Sequence, residues 1–80
     1  MYGCAKLLRK NQNKYTYSFG ASGNKLDGQF TIDIVNINDS IINKESADIS
    51  YNGSMKIMAA ILYKIKKENI IPDFFEYATG

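Results

Sequence analysis

The part of this chain with the most evident chemical potential is a run of cations next to a run of rings. Lys6, Arg9, Lys10, Lys14 and Lys25 all precede the first acid, Asp27, and KYTYSFG places Tyr15, Tyr17 and Phe19 at alternate positions among them. Lysine and arginine hold phosphates, and an exposed aromatic ring stacks on a base, so this interleaving is a pattern that would suit a nucleic-acid strand. Lys56, Lys64 and Lys67, further along, extend the candidate set. Stacking requires the rings to face solvent. Alternation of ring and polar residue is equally the mark of a strand that turns its rings inward, and on that reading the same residues are core.

Other chemistry has little to work with. The chain has no histidine, which removes the usual neutral-pH base and the commonest zinc ligand. Cys4 is the one cysteine, with no evident activator, and reads as a small apolar side chain. The acids Asp27, Asp33, Asp39, Glu45, Asp48, Glu68, Asp73 and Glu76 are scattered over different predicted elements, so no carboxylate pair is set up for acid and base roles. GASGNKLDG, Gly20 to Gly28, has glycines but neither the spacing nor the following helix of a phosphate-cradling loop, and NINDSIINKESAD does not match a calcium loop. The sequence therefore leads to the expectation of a protein that is not an enzyme and uses no cofactor or metal.

The elements that position these residues follow from periodicity. GSMKIMAAILYKIKKEN, Gly53 to Asn69, is the long helical pattern, with Met55, Met58, Ile61, Leu62 and Ile65 on one arc and Ala59 at its margin. Lys56, Ala60, Lys64, Lys67 and Glu68 lie opposite, and Tyr63 and Lys66 near the boundary. Asn52 and Ser54 are both candidate caps, and Pro72 ends the helix near Asn69. Before the helix, Lys14 to Gly20 and GQFTIDIVNI from Gly28 alternate as strands, with Phe30, Ile32 and Ile34 facing the same way as Tyr15, Tyr17 and Phe19.

The opposite face then carries Thr16, Ser18, Thr31, Asp33 and Val35. Tyr2 to Arg9 suits either a first hairpin arm or two turns of helix, and Asn11 to Asn13 a polar turn. Asn36 to Asn52 reads as a long connection in which Ile41-Ile42 and Ala47 to Ile49 offer brief extended segments. After Pro72, DFFEYATG alternates Phe75, Tyr77 and Thr79 against Phe74, Glu76 and Ala78, a short final strand.

The expected fold is α+β: one domain over residues 1–80, with an antiparallel sheet of three to four strands and the amphipathic helix packed on one face. A chain of this length buries a core one sheet and one helix deep. At 45% hydrophobic and 22% charged residues it has the composition of a folded domain. It has no run of apolar residues long enough for a membrane span, and no signal-like start, which with the lone cysteine gives a cytoplasmic expectation. Net charge is only +2, but the cations come early and Asp27, Asp33, Asp39, Glu45 and Asp48 follow with only Lys44 among them, so adjacent strands would neutralise one another.

FTI at Phe30 to Ile32 followed by GSMKIMAA at Gly53 to Ala60 resembles the central strand and second helix of double-stranded RNA-binding domains, over Lys6 to Lys67. That resemblance implies a helix, three strands and a helix, and phosphate contacts from the second helix. Of the lysine pair those domains carry there, Lys56 alone matches, and DFFEYATG has no counterpart. The functional expectation is a small binding or regulatory module with a protein partner or a second copy of itself, the alternative being a nucleic-acid binder using Lys6, Arg9, Lys10, Lys14, Lys25, Lys56, Lys64 and Lys67.

Overall fold

The computed structural model describes residues 2–78. Strand β1, Tyr2–Asn11, turns at Gln12 and Asn13 into β2, Lys14–Gly20, so residues 2–9 are strand and not helix. Gln12 sits at φ 56°, the left-handed region a tight hairpin turn demands. Strand β3, Gly28–Asp33, follows a loop, then β4, Ile41–Lys44, helix α1, Tyr51–Glu68, and β5, Phe74–Ala78. Thr79, expected to continue the last strand, lies outside the described residues.

These strands make one antiparallel sheet in the order β4-β3-β2-β1-β5. The class is the expected α+β, but the sheet has five strands instead of three to four. The additional strand is β4, from the stretch expected to be a connection: Ile42 pairs with Phe30 and Ile41 with Thr31. The other extended candidate there, Ala47 to Ile49, is a turn. Strands also precede the helix throughout, so the helix-first order of a double-stranded RNA-binding domain is not what this chain builds. Consecutive strands step across the sheet from β1 to β4, and α1 then carries the chain back to the far edge, where β5 pairs with β1.

Strand β3 was expected to run on to Ile37, and it stops at Asp33 for a local reason. The Asp33 carboxylate accepts the backbone N–H groups of Asn36 at 2.9 Å and Val35 at 3.0 Å, curling the chain out of the sheet. Val35 is therefore 72% exposed beyond the strand and not part of the sheet face.

The helix begins two residues earlier than the periodicity suggests, because neither Asn52 nor Ser54 caps it. Ser50 does: its Oγ accepts from Gly53 N–H at 3.0 Å. At the other end Asn69, at φ 56°, donates its N–H to the Ile65 carbonyl at 2.9 Å and stops the helix where expected, with Lys66 and Lys67 in the last turn. The buried arc is rotated from the expected one. Ile57 is fully buried and Met55 is 45% exposed, with Ser54, Ile57, Ile61, Ile65, Met58 and Leu62 forming the seam. Gly3 on β1 makes room for this, since a Cβ there would stand 2.6 Å from Ile57 Cδ1.

Tyr15, Tyr17, Phe19, Phe30 and Ile32 all face the helix and are at most 8% exposed. Burying side chains of this size contributes roughly 1.5–3 kcal/mol each relative to solvent. The Phe19 and Phe30 rings stack with centroids 4.8 Å apart. Tyr17 brings a hydroxyl into this interior and satisfies it by donating to the Pro72 carbonyl at 2.7 Å, which ties the segment before β5 to the core. Burial, with Asp73 and Tyr15 close by, pushes the Tyr17 phenol above the usual tyrosine range. Among the described residues no helix is long and apolar enough to cross a membrane.

Candidate interaction surface

With one face of the sheet under α1, the functional groups are on the other face and at the edges. Register fixes the open face: Tyr2, Cys4, Lys6 and Arg9 from β1; Lys14, Thr16 and Ser18 from β2; Gln29, Thr31 and Asp33 from β3; Phe74, Glu76 and Ala78 from β5. Its centre is small and polar. Thr16 Oγ1 and Thr31 Oγ1 share a hydrogen bond of 3.0 Å, and Thr31 Oγ1 also lies 2.8 Å from Asn43 Oδ1 on β4. Thr16, Ser18 and Asp33 are almost inaccessible there, at 5%, 9% and 7% exposure, although no helix covers them.

Two things shield this face. Long side chains stand beside the short ones, Arg9 opposite Thr16 and both Lys6 and Gln29 opposite Ser18. At the far end, the loop between β2 and β3 folds back on the sheet: a Cβ on Gly20 would stand 1.7 Å from the Lys25 carbonyl, and one on Gly23 3.8 Å from the Phe74 ring. Under this loop lies Cys4, 1% exposed. Its Sγ donates to Tyr2 Oη at 3.2 Å, which in turn donates to Glu76 Oε2 at 2.9 Å. Those bonds, Cys4 first and Glu76 second, push the Tyr2 phenol above its ordinary range.

The eight candidate cations fall into three places. Lys6, Arg9, Lys10 and Lys14 all lie on the β1–β2 hairpin, Lys6, Arg9 and Lys14 on the open face and Lys10, paired with Tyr15, on the helix side, and among the described residues none of them forms an ion pair. Lys25 is at the opposite end of the sheet, paired with Asp48 at 2.5 Å. Lys56, Lys64 and Lys67 lie on α1, on the far side of the core. There Lys64 meets Glu68 at 3.3 Å, while Lys67 donates to Tyr63 Oη at 3.0 Å and lies 5.2 Å from the centre of that ring. Lys6, Arg9 and Lys14 are thus on the opposite face of the molecule from the helix cations. The rings of KYTYSFG are core, so no aromatic platform lies between the hairpin cations.

The acids serve local structure. Asp27 accepts from Ser46 Oγ at 2.6 Å and Ala47 N–H at 3.0 Å, joining the β2–β3 loop to the turn before the helix, and these bonds hold its carboxyl below the usual range. The Asn36 N–H holds Asp33 low, followed by the Val35 N–H and the nearby Lys14. Among the described residues no three or more metal-ligating side chains gather. One apolar notch of about 70 Å³ lies between α1 and β3, lined by Ile32, Ile37, Met55, Met58, Ala59 and Leu62 with Ser40 at its rim, and has no charged group in it.

Sequence reasoning expects an unpaired sheet edge at a terminal strand, and what it did not find is the register that fixes the β5 edge. Alternation in FFEYA marks a strand but is silent on which neighbour it takes. Leu7 N–H donates to the Asp73 carbonyl at 2.9 Å, and Lys6 pairs with Phe74, which fixes the alternation along β5. Phe75 and Tyr77 turn their backbone groups toward β1, so those of Phe74, Glu76 and Ala78 turn outward, beyond the last strand of the sheet. Phe74 is 47% exposed there. No known protein family, curated protein or solved structure matches this chain.

Proposed function

We propose that this chain is a non-catalytic binding or regulatory module of the cytoplasm that works by protein contacts, made along the open side and the β5 edge of its sheet. The observation that carries this reading is the edge itself, unpaired among the described residues: outward backbone groups at Phe74, Glu76 and Ala78, flanked by the exposed Phe74 ring and the half-buried Phe75 and Tyr77. An edge of this kind offers main-chain hydrogen bonds to an extended segment, and rings beside it give that segment apolar surface. The test is purification of the intact chain from its native cells after nuclease treatment. A reproducible, stoichiometric protein partner is the expected result, and its absence contradicts the reading.

A second reading has its own observation, the hairpin cations Lys6, Arg9 and Lys14 sharing the open face, with Lys10 on the other side of the same hairpin, all without ion pairs among the described residues. They would hold phosphates of a nucleic acid without reading its bases, since the rings nearby are interior. Lys25, Lys56, Lys64 and Lys67 are too dispersed to join that contact. Binding of this kind weakens steeply with salt. Titration of the chain with duplex and single-stranded RNA at low salt, giving no chemical-shift change on the hairpin, would remove it.

A further inference from the structure

The two edges of the sheet are not equivalent. Strand β4 is four residues long, ends on Lys44, and pairs with β3 through a register shift between Gln29 and Phe30. Shortness, a lysine and a bulge are the devices by which sheets discourage further pairing. Strand β5 is only one residue longer, but it has no lysine and no bulge: its register with β1 runs unbroken from Phe74 to Ala78, and its one charge is Glu76.

From this, and resting on the protein-binding reading above, we infer that the β5 edge takes up an extended strand of a partner protein that carries a lysine or arginine opposite Glu76 and apolar residues beside it. Glu76 has the side-chain position between Phe74 and Ala78 on the open face, in line with the outward backbone groups. Tyr2 Oη occupies Oε2, while Oε1 accepts no hydrogen bond among the described residues and is available to an incoming cation. Opposite charges directly across a ladder favour pairing and like charges oppose it.

The same residue argues against a second copy as the occupant. Two β5 edges brought together antiparallel, with all outward groups bonded, set Phe74 against Ala78 and Glu76 against its own counterpart, carboxylate facing carboxylate. Sliding the register by two residues separates the acids but leaves Ala78 or Phe74, according to direction, beyond the paired stretch. The edge thus favours a foreign strand over its own.

The experiment uses the intact chain and two blocked peptides, Thr-Val-Thr-Val-Lys-Val-Thr-Val-Thr and the same sequence with Glu in place of Lys, followed by amide NMR at millimolar peptide. The expected result is shift changes and slowed amide exchange at Phe74, Glu76 and Ala78, with the lysine peptide binding about five-fold tighter. Glu76→Lys should reverse that preference. Equal binding of the two peptides, no effect at these three amides, or concentration-dependent dimerisation of the unmodified chain through this edge would each overturn the inference. A native partner that leaves these amides unchanged would overturn it too, while the protein-binding reading itself stood.

Discussion

At their centres the two faces of this sheet look alike by exposure and differ in almost everything else. Tyr15 on the helix side and Thr16 on the open side are 8% and 5% exposed. The first is buried by packing, among Phe30, Ile32 and the seam of α1. The second is screened by taller neighbours and keeps its hydroxyl bonded to Thr31. Inaccessibility from packing contributes to stability through apolar burial, whereas screening of a polar, hydrogen-bonded group contributes little. One face is therefore committed to holding the fold, and the other is chemically available to a partner that displaces or joins its side chains.

Substitutions on the two faces should separate accordingly. The largest effect is expected on the helix side: Phe30→Ala removes a fully buried ring stacked on Phe19 and should destabilise by about 3–5 kcal/mol in denaturant melts. Next comes the one open-side position where backbone lies on backbone. Gly20→Ala sets a methyl against the Lys25 carbonyl and should cost on the order of 1–3 kcal/mol, read as a lower urea midpoint. Thr31→Val, on the open face, should cost about 1 kcal/mol, because it removes the partner of the nearly inaccessible Thr16 hydroxyl while Asn43, exposed, turns to water. A loss from Thr31→Val as large as from Phe30→Ala would erase the distinction.

The acids add a pH dependence to the open side and the loops. Asp33 and Asp27 are held below the ordinary carboxyl value of 3.8 in the folded chain. Their contribution is therefore present above that value and is lost as pH falls through the lowered folded values. Melts on the acid limb should show it, and Asp33→Asn should flatten that limb while leaving its shape near neutrality unchanged.

Much of the helix side was legible in the sequence. Period-two alternation put Tyr15, Tyr17, Phe19, Phe30 and Ile32 on one face, and the arc of apolar residues at helical spacing found α1. The rotation of the helix that favours Ile57 over Met55 was not, because it follows from the space left by Gly3, a contact across the sheet. Strand β4 was legible only as a brief extended candidate at Ile41-Ile42: one inward residue, Ile42, in a polar stretch gives too little alternation to mark it as a strand of the sheet. The Ser50 cap and the Asp33 turn each depend on a side chain reaching particular N–H groups, which spacing alone does not select. For the candidate site, the identities of the cations were readable, but their division between hairpin, loop and helix, and the fact that β5 is an edge, follow from the path of α1 across the sheet.

Amide hydrogen exchange of the free chain bears most directly on an open β5 edge. Fast exchange at Phe74, Glu76 and Ala78 alternating with slow exchange at Phe75 and Tyr77 is the pattern expected of a last strand bonded on one side only. Uniform protection along all of β5 in dilute solution would mean that the edge is already covered, and would contradict the account.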